Sequence, residues 1–289
     1  MVSHDTTLRI VYGVWAFILL AWGIVQIILT FTSPCAFRFT TSNDFRDGGG
    51  SDDVGWQAPT LGTPTPNQFS ASLLLGIAMT VEGFYLAIIS WLTGAWEQHW
   101  EEIVVKSNRQ RWIRWGLTDA VYYAVVAYTA GVTNNALISA YAVAAIGLNF
   151  AQAYNETVNS GVIDQETGAV TIAGGATSAA NPWENVPRID GWIVATLIFA
   201  WAAVVWYVYL ASGTQAGISP AVFAIPIVWG GVYLILHLLI IGALTNYQLF
   251  GAKAWTYRRE YAFIVFRFLL LAYTTIVLAF VQNAPSCPT

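Results

Sequence analysis

The sequence predicts an all-α membrane protein: a single domain, residues 1–289, built as a bundle of seven transmembrane helices with the N-terminus in the cytoplasm. Three observations predict this. First, 56% of the residues are hydrophobic and only 10% are charged, a balance that suits a polytopic membrane protein and not a soluble domain. Second, seven apolar stretches approach or exceed the roughly 20 residues that a helix needs to cross the hydrocarbon core. Third, the positive charges between those stretches fall almost wholly on one side.

The stretches are Ile10–Phe31, Phe69–Trp91, Trp112–Val132, Ala136–Ala153, Gly191–Ala211, Val222–Ala243 and Tyr261–Phe280. The first is too long for a signal-peptide core and has no small-residue cleavage site, so it is expected to stay in the protein. After it comes a long outer loop, 33–68, rich in Gly, Asp, Pro and Thr, whose Phe37, Phe39, Phe45 and Trp56 favour a short hairpin over the outer mouth. Between the second and third stretches Trp96, Trp100 and Val104 recur every fourth residue among Glu97, Glu101 and Glu102, the pattern of a short amphipathic helix at the interface. The fourth stretch is the shortest. A long inner loop, 155–190, follows it, and two readings stay open for its segment Gly168–Gly174: a short paired strand or a mobile stretch. In the sixth stretch Pro226 and the pair Gly230, Gly231 allow a kink or a close helix contact.

Seven crossings put the termini on opposite sides. The N-terminal side receives Arg9, Lys106, Arg109, Arg111, Arg188, Lys253, Arg258 and Arg259, with Arg114 just inside the third stretch; the other receives Arg38 and Arg46. The side rich in Lys and Arg is cytoplasmic, which leaves the C-terminus extracellular or lumenal. Cys35 and Cys287 then both fall outside, at the ends of the first and seventh helices. Two readings stay open for them: a disulfide that staples the ring, or two separate thiols, since spacing does not fix bridge geometry. The sequon at Asn155 falls in the cytoplasm and should carry no glycan. Tryptophans 91, 96, 100, 112, 115, 192 and 255 gather at the inner boundary and read as an anchoring belt.

Ionisable side chains within the hydrocarbon cost about 2.5–3.5 kcal/mol each on insertion scales, so each implies a partner. Glu82, Asp119, His237 and Arg267 come from four different stretches. At 1.5 Å of rise per residue they lie about 9–14 Å from the inner ends of their helices, nearly one layer. An Arg267–Asp119 ion pair supported by Glu82 and His237 is the favoured arrangement. A proton relay through the same groups is the competing one, and an arginine at its centre would repel cations. No metal-ligand spacing, nucleophile elbow or phosphate loop stands out, and paired histidines for haem are poorly placed, with His99 near the interface and His4 at the terminus. The expectation is therefore not an enzyme. Without a basic stripe outside the membrane flanks, nucleic acid is not an expected partner either.

The segment 260–274, EYAFIVFRFLLLAYT, resembles the seventh helix of heliorhodopsins, as does its approach 255–264, WTYRREYAFI. The RWI of 111–113 opens the third stretch as that family's helix does, and the long outer loop and inside N-terminus agree with it. The resemblance implies a rhodopsin-like fold, and it breaks at the chromophore site. Leu271 stands where the family carries its Schiff-base lysine; Arg267, one turn earlier, replaces a small polar residue; Arg114 replaces the carboxylate that counters the Schiff-base proton. The chain has two lysines, Lys106 and Lys253, neither inside a stretch, and a retinal aldehyde needs a buried amine to bond covalently.

The resemblance thus implies a non-photochemical protein with no covalent cofactor and a structural or assembly role, as a homodimer or a subunit of a larger assembly, since heliorhodopsins commonly dimerise. Membrane lipids are its expected surroundings. Two alternatives stand beside this reading: a sensor holding a retinoid, carotenoid or lipid non-covalently, and a proton- or ion-conducting protein.

Overall fold

The computed structural model describes residues 4–32, 38–42, 46–47, 60–61, 66–104, 108–129, 132, 135–158, 161–163, 170–172, 224–225, 227–232 and 252–282. Six long helices are present among them: α1 His4–Thr32, α2 Ala71–Trp91, α3 Thr93–Val104, α4 Arg109–Thr129, α5 Asn135–Val158 and α6 Ala252–Gln282. Four stretches within these, Asp5–Thr32, Ala71–Trp91, Asn135–Tyr154 and Glu260–Ala279, are long and apolar enough to cross a membrane. They correspond to the first, second, fourth and seventh apolar stretches of the sequence. The fifth stretch lies outside the described residues, and of the sixth only 224–225 and 227–232 are described, as helix. His237, Cys35 and Cys287 also lie outside the described residues.

The third stretch is helical but begins three residues earlier than its hydropathy places it. Asn108 supplies the reason: its Oδ1 accepts from the Arg111 backbone N–H at 2.9 Å, an N-cap. The neighbouring free N–H, of Gln110, is taken by Glu102 Oε2 at 3.2 Å. At the start of α2, Ser70 accepts from the Leu73 N–H at 3.3 Å in the same way.

Helices α1 and α2 approach unusually closely because glycines face each other. A Cβ on Gly76 would lie 2.9 Å from the Gly23 carbonyl oxygen, and one on Gly23 would lie 2.8 Å from that of Gly76. Seven residues along α2, a Cβ on Gly83 would meet the Leu20 backbone nitrogen at 2.8 Å. Lipid gives apolar side chains no reason to prefer one another, so small residues that let backbones touch are what hold membrane helices together. The opposite surfaces bear large apolar groups, among them Phe17, Ile28 and Phe31 on α1, Phe84 on α2, Phe150 on α5 and Leu269 on α6. In water this would be a large sticky patch; against acyl chains it is the natural exterior.

Among the described residues, the loops contain three antiparallel two-stranded ladders. In the outer loop β1 (Arg38–Ser42) pairs with β4 (Pro66–Ser70), and within that hairpin β2 (Arg46–Asp47) pairs with β3 (Thr60–Leu61). The register Arg38 opposite Ser70 delivers the chain directly to the N-cap of α2. After α5, β5 (Gly161–Ile163) pairs with β6 (Val170–Ile172).

The amphipathic segment is α3, with one correction to its buried face. Trp96, His99, Glu102 and Ile103 are buried, whereas Trp100 is only partly so. Glu102 turns inward because it is needed at the start of α4. The tryptophan belt needs a second correction. Trp91 is exposed, but Trp96, Trp112 and Trp115 belong to the protein interior. Trp192 lies outside the described residues, as does the side chain of Trp255.

Candidate functional site: a two-tier buried ion-pair network

From the cap residue Asn108 into α4, Arg111, Arg114, Thr118 and Tyr122 follow at every third or fourth position and so share one face, with Asp119 beside Thr118 at its edge. On α6, Glu260 and Arg267 are seven residues apart and do the same. The two faces meet in two tiers, about 10 Å apart along the axes.

The deeper tier centres on Arg267. Its Nη2 lies 2.6 Å from Asp119 Oδ1 and 3.1 Å from Glu82 Oε2, and donates to Thr118 Oγ1 at 3.1 Å. Glu82 Oε2 also accepts from Tyr122 at 3.2 Å and from Thr118 at 3.4 Å. Asn149 of α5 donates to Asp119 Oδ2 at 3.0 Å. The guanidinium carbon stands 4.6 Å from the Tyr122 ring centre and 4.9 Å from that of Trp115, within cation–π range. Glu82 and Asp119 are 0% exposed and Arg267 is 1% exposed. Charges so deeply buried persist only when paired and hydrogen-bonded, and here each is.

The second tier lies where α4 and α6 begin. Arg111 Nη1 donates to Glu260 Oε1 at 2.6 Å, while Glu260 Oε2 accepts from Tyr12 at 2.9 Å and from Asn108 at 3.0 Å. The Arg111 guanidinium rests 3.9 Å from the Phe263 ring centre. The sequence reading missed this tier, because Arg111 and Glu260 were counted as interfacial charges at helix starts. One signal could have found it: each is two turns from a deeper charged residue on the same face, Asp119 or Arg267, with the opposite sign. His99 lies in α3, the connection between α2 and α4. It is buried against Tyr12 and Trp96, with ring centres 5.2 and 5.6 Å away. Burial, with help from the charges of Arg114 and Arg111 and against that of Glu260, pushes its basicity down to about 4.

Of the residues singled out from sequence, the structure thus brings Glu82, Asp119 and Arg267 into contact. Arg114 joins them more loosely, its Nε 3.7 Å from Glu82 Oε1. Leu271 is fully buried in the apolar core on the far side of Arg267 from Glu260. Near it Trp229 donates to Thr274 at 2.8 Å and packs against Tyr122 and Tyr123. Among the described residues, no group of three or more His, Cys, Asp or Glu side chains is placed to hold a metal ion. No family model and no curated protein matches the chain.

Proposed function

We propose that this is a non-photochemical, heliorhodopsin-like membrane protein of seven helices, whose ion-pair network holds the bundle rigid for a structural or assembly role in the membrane. The observation that carries the reading is the state of position 271. Leu271, which the resemblance aligns with the family's Schiff-base lysine, is buried, and Arg267, one turn away, is committed to Asp119 and Glu82.

Seven crossings are supported by direction. The bonds Arg111–Glu260 and Thr118–Arg267 both join residues 149 positions apart, so α4 and α6 run parallel. Parallel helices need an odd number of crossings between them. With α5 as one, the apolar stretches 191–211 and 222–243 supply two more. A cytoplasmic N-terminus follows from the Lys and Arg distribution.

The closed ion pairs favour a static role over a proton relay, because each arginine stands against a carboxylate that a travelling proton would have to visit. The test is expression with all-trans-retinal, purification into nanodiscs, absorbance spectroscopy, and intact mass after borohydride reduction. A colourless protein of unmodified mass, recovered as a discrete oligomer by light scattering, is expected. A chromophore bonded to the chain would overturn the reading, and a strictly monomeric protein would remove its assembly part.

A further inference from the structure

Three aromatic rings step inward from α3 to α1. Trp100 and Trp96 stack with their centres 6.3 Å apart, and Trp96 meets Tyr12 edge to face at 5.8 Å. Trp100 is partly exposed, whereas Trp96 and Tyr12 are each 2% exposed. The line therefore runs from the surface to a buried end. Its outer end belongs to the rim of the membrane, because only Leu92 separates α3 from α2, a helix of membrane-crossing length, and both Leu92 and Trp91 are exposed.

Both buried rings have a carboxylate on their one acidic hydrogen. Trp96 Nε1 donates to Asp5 Oδ1, and the Tyr12 hydroxyl donates to Glu260 Oε2 at 2.9 Å. One-electron oxidation of such rings needs this pairing. Losing an electron makes an indole N–H or a phenol O–H strongly acidic. A buried ring that kept its proton would be left as an unpaired cation in a medium of low dielectric. A base within hydrogen-bond reach takes the proton as the electron leaves, and Glu260 is within that reach. Arg111 holds the other oxygen of Glu260 at 2.6 Å and so keeps the carboxylate in place. His99, with its ring centre 5.2 Å from that of Tyr12, adds no positive charge at neutral pH, since burial pushes its basicity down to about 4. Tyr122 has a similar pairing with Glu82 at 3.2 Å, but its ring neighbour Trp229 is 1% exposed and gives an oxidant no access.

We propose that Trp100, Trp96 and Tyr12 form a one-electron conduit, with Tyr12 as its redox-active end, that quenches lipid peroxyl radicals arriving from the membrane. The peroxyl radical takes one electron from Trp100 and one proton from interfacial water, leaving hydroxide, and becomes a hydroperoxide. Trp96 refills Trp100, sharing its N–H proton with Asp5 as it does so, and Tyr12 refills Trp96. The phenolic proton of Tyr12 passes to Glu260 Oε2 as its electron leaves. Tyr12 ends as a neutral phenoxyl radical, and Glu260 as a carboxylic acid hydrogen-bonded to it. One chain quenches one radical. This inference does not rest on the heliorhodopsin-like reading, which turns on position 271.

The experiment places the full chain in nanodiscs of saturated phospholipid, where a lipid-soluble azo initiator generates peroxyl radicals under oxygen. Samples frozen during the reaction are read by electron paramagnetic resonance, with tyrosine either ordinary or ring-deuterated. A phenoxyl signal that narrows with the deuterated tyrosine is expected. It should be lost in Tyr12→Phe and kept in Tyr154→Phe, which removes an exposed phenol. Trp100→Leu leaves the Tyr12–Glu260 bond intact and should lose the signal too, because the entry ring is gone. Should Tyr12→Phe not fold, the wild-type signal and Trp100→Leu still decide. No phenoxyl signal in the wild type, a signal that persists in Tyr12→Phe, or one unchanged in Trp100→Leu would mean that the three rings only pack, and would overturn the conduit.

Discussion

Replacing Arg267 by methionine removes the charge at the centre of the deeper tier while keeping an unbranched side chain of similar reach. Asp119 then loses a partner at 2.6 Å and keeps the Asn149 bond at 3.0 Å; Glu82 keeps Tyr122, Thr118 and the distant Arg114. Removing one member of a buried ion pair costs about 3–5 kcal/mol, because the other stays charged and desolvated. A second route gives the same size. The stranded aspartate can escape by taking up a proton, which for an ordinary aspartic acid at pH 7 costs about 4 kcal/mol, roughly three pH units at 1.36 kcal/mol each. The expected loss is therefore about 4 kcal/mol at neutral pH. In the double variant Arg267→Met/Asp119→Leu, Glu82 retains Arg114 and no unmatched charge is left. That variant should recover at least half of the loss, since apolar replacement of a whole buried pair is often neutral. Reversible unfolding in mixed micelles, followed by far-ultraviolet circular dichroism, measures both. A single variant within about 1 kcal/mol of wild type would refute the reasoning, as would a double variant no more stable than the single.

Three further outcomes are expected. Tyr12→Phe removes a hydrogen bond to the buried Glu260 carboxylate and should lower stability in the same assay by about 1.5–3 kcal/mol. His99 titrates near 4 when folded, against 6.5 in the unfolded chain, so as pH falls below 6.5 the unfolded state takes up the proton first. Stability should be highest above pH 6.5 and fall by about 3 kcal/mol on the way to pH 4; His99→Phe should flatten that window, and an unchanged slope would show that His99 is not its source. Gly76→Val drives a branched side chain against the Gly23 carbonyl and Ile27, where a Cβ already lies 2.9 and 2.7 Å away. It should cost at least 1–3 kcal/mol, roughly what overpacking costs in a tight core, whereas the same change at Gly147, with open space around it, should be nearly silent.

Four helices of membrane-crossing length were legible in the sequence, because an apolar run long enough to cross a bilayer has few other uses. The deeper tier was legible for a related reason. Glu82, Asp119 and Arg267 are conspicuous against apolar neighbours, and the helical rise gives their depth from residue counting alone. Arg111, Glu260, Glu102 and His99 were not legible as interior groups, because they stand near helix ends, where solvated charges are also common. What turns them inward is tertiary. α3 puts Glu102 at the start of α4 and packs His99 against Tyr12, and no local pattern announces that. The same cause defeated the tryptophan belt. Trp112 and Trp115 have the composition of interfacial anchors, yet the Phe263 ring of α6 draws them inside, with centres 6.3 and 5.5 Å away.

The two tiers have opposite polarity, and that explains what buried charges contribute here beyond their modest net stability. In the tier at the helix starts, arginine comes from α4 and carboxylate from α6; in the deeper tier, aspartate comes from α4 and arginine from α6. Apolar packing in lipid is nearly indifferent to a helix sliding by two turns, since one leucine-rich surface replaces another. The charges are not indifferent. A seven-residue slip of α6 along α4 would set Arg267 against Arg111 and leave Asp119 opposite Thr274, exchanging attraction for repulsion at one tier and stranding a carboxylate at the other. Unpaired charge at such depth costs several kcal/mol per group, more than a two-turn change in apolar contact can return. The alternating pairs therefore select one register and one relative direction for α4 and α6. Glu82 ties α2 into the deeper tier and Tyr12 ties α1 into the other, so four helices share a single alignment.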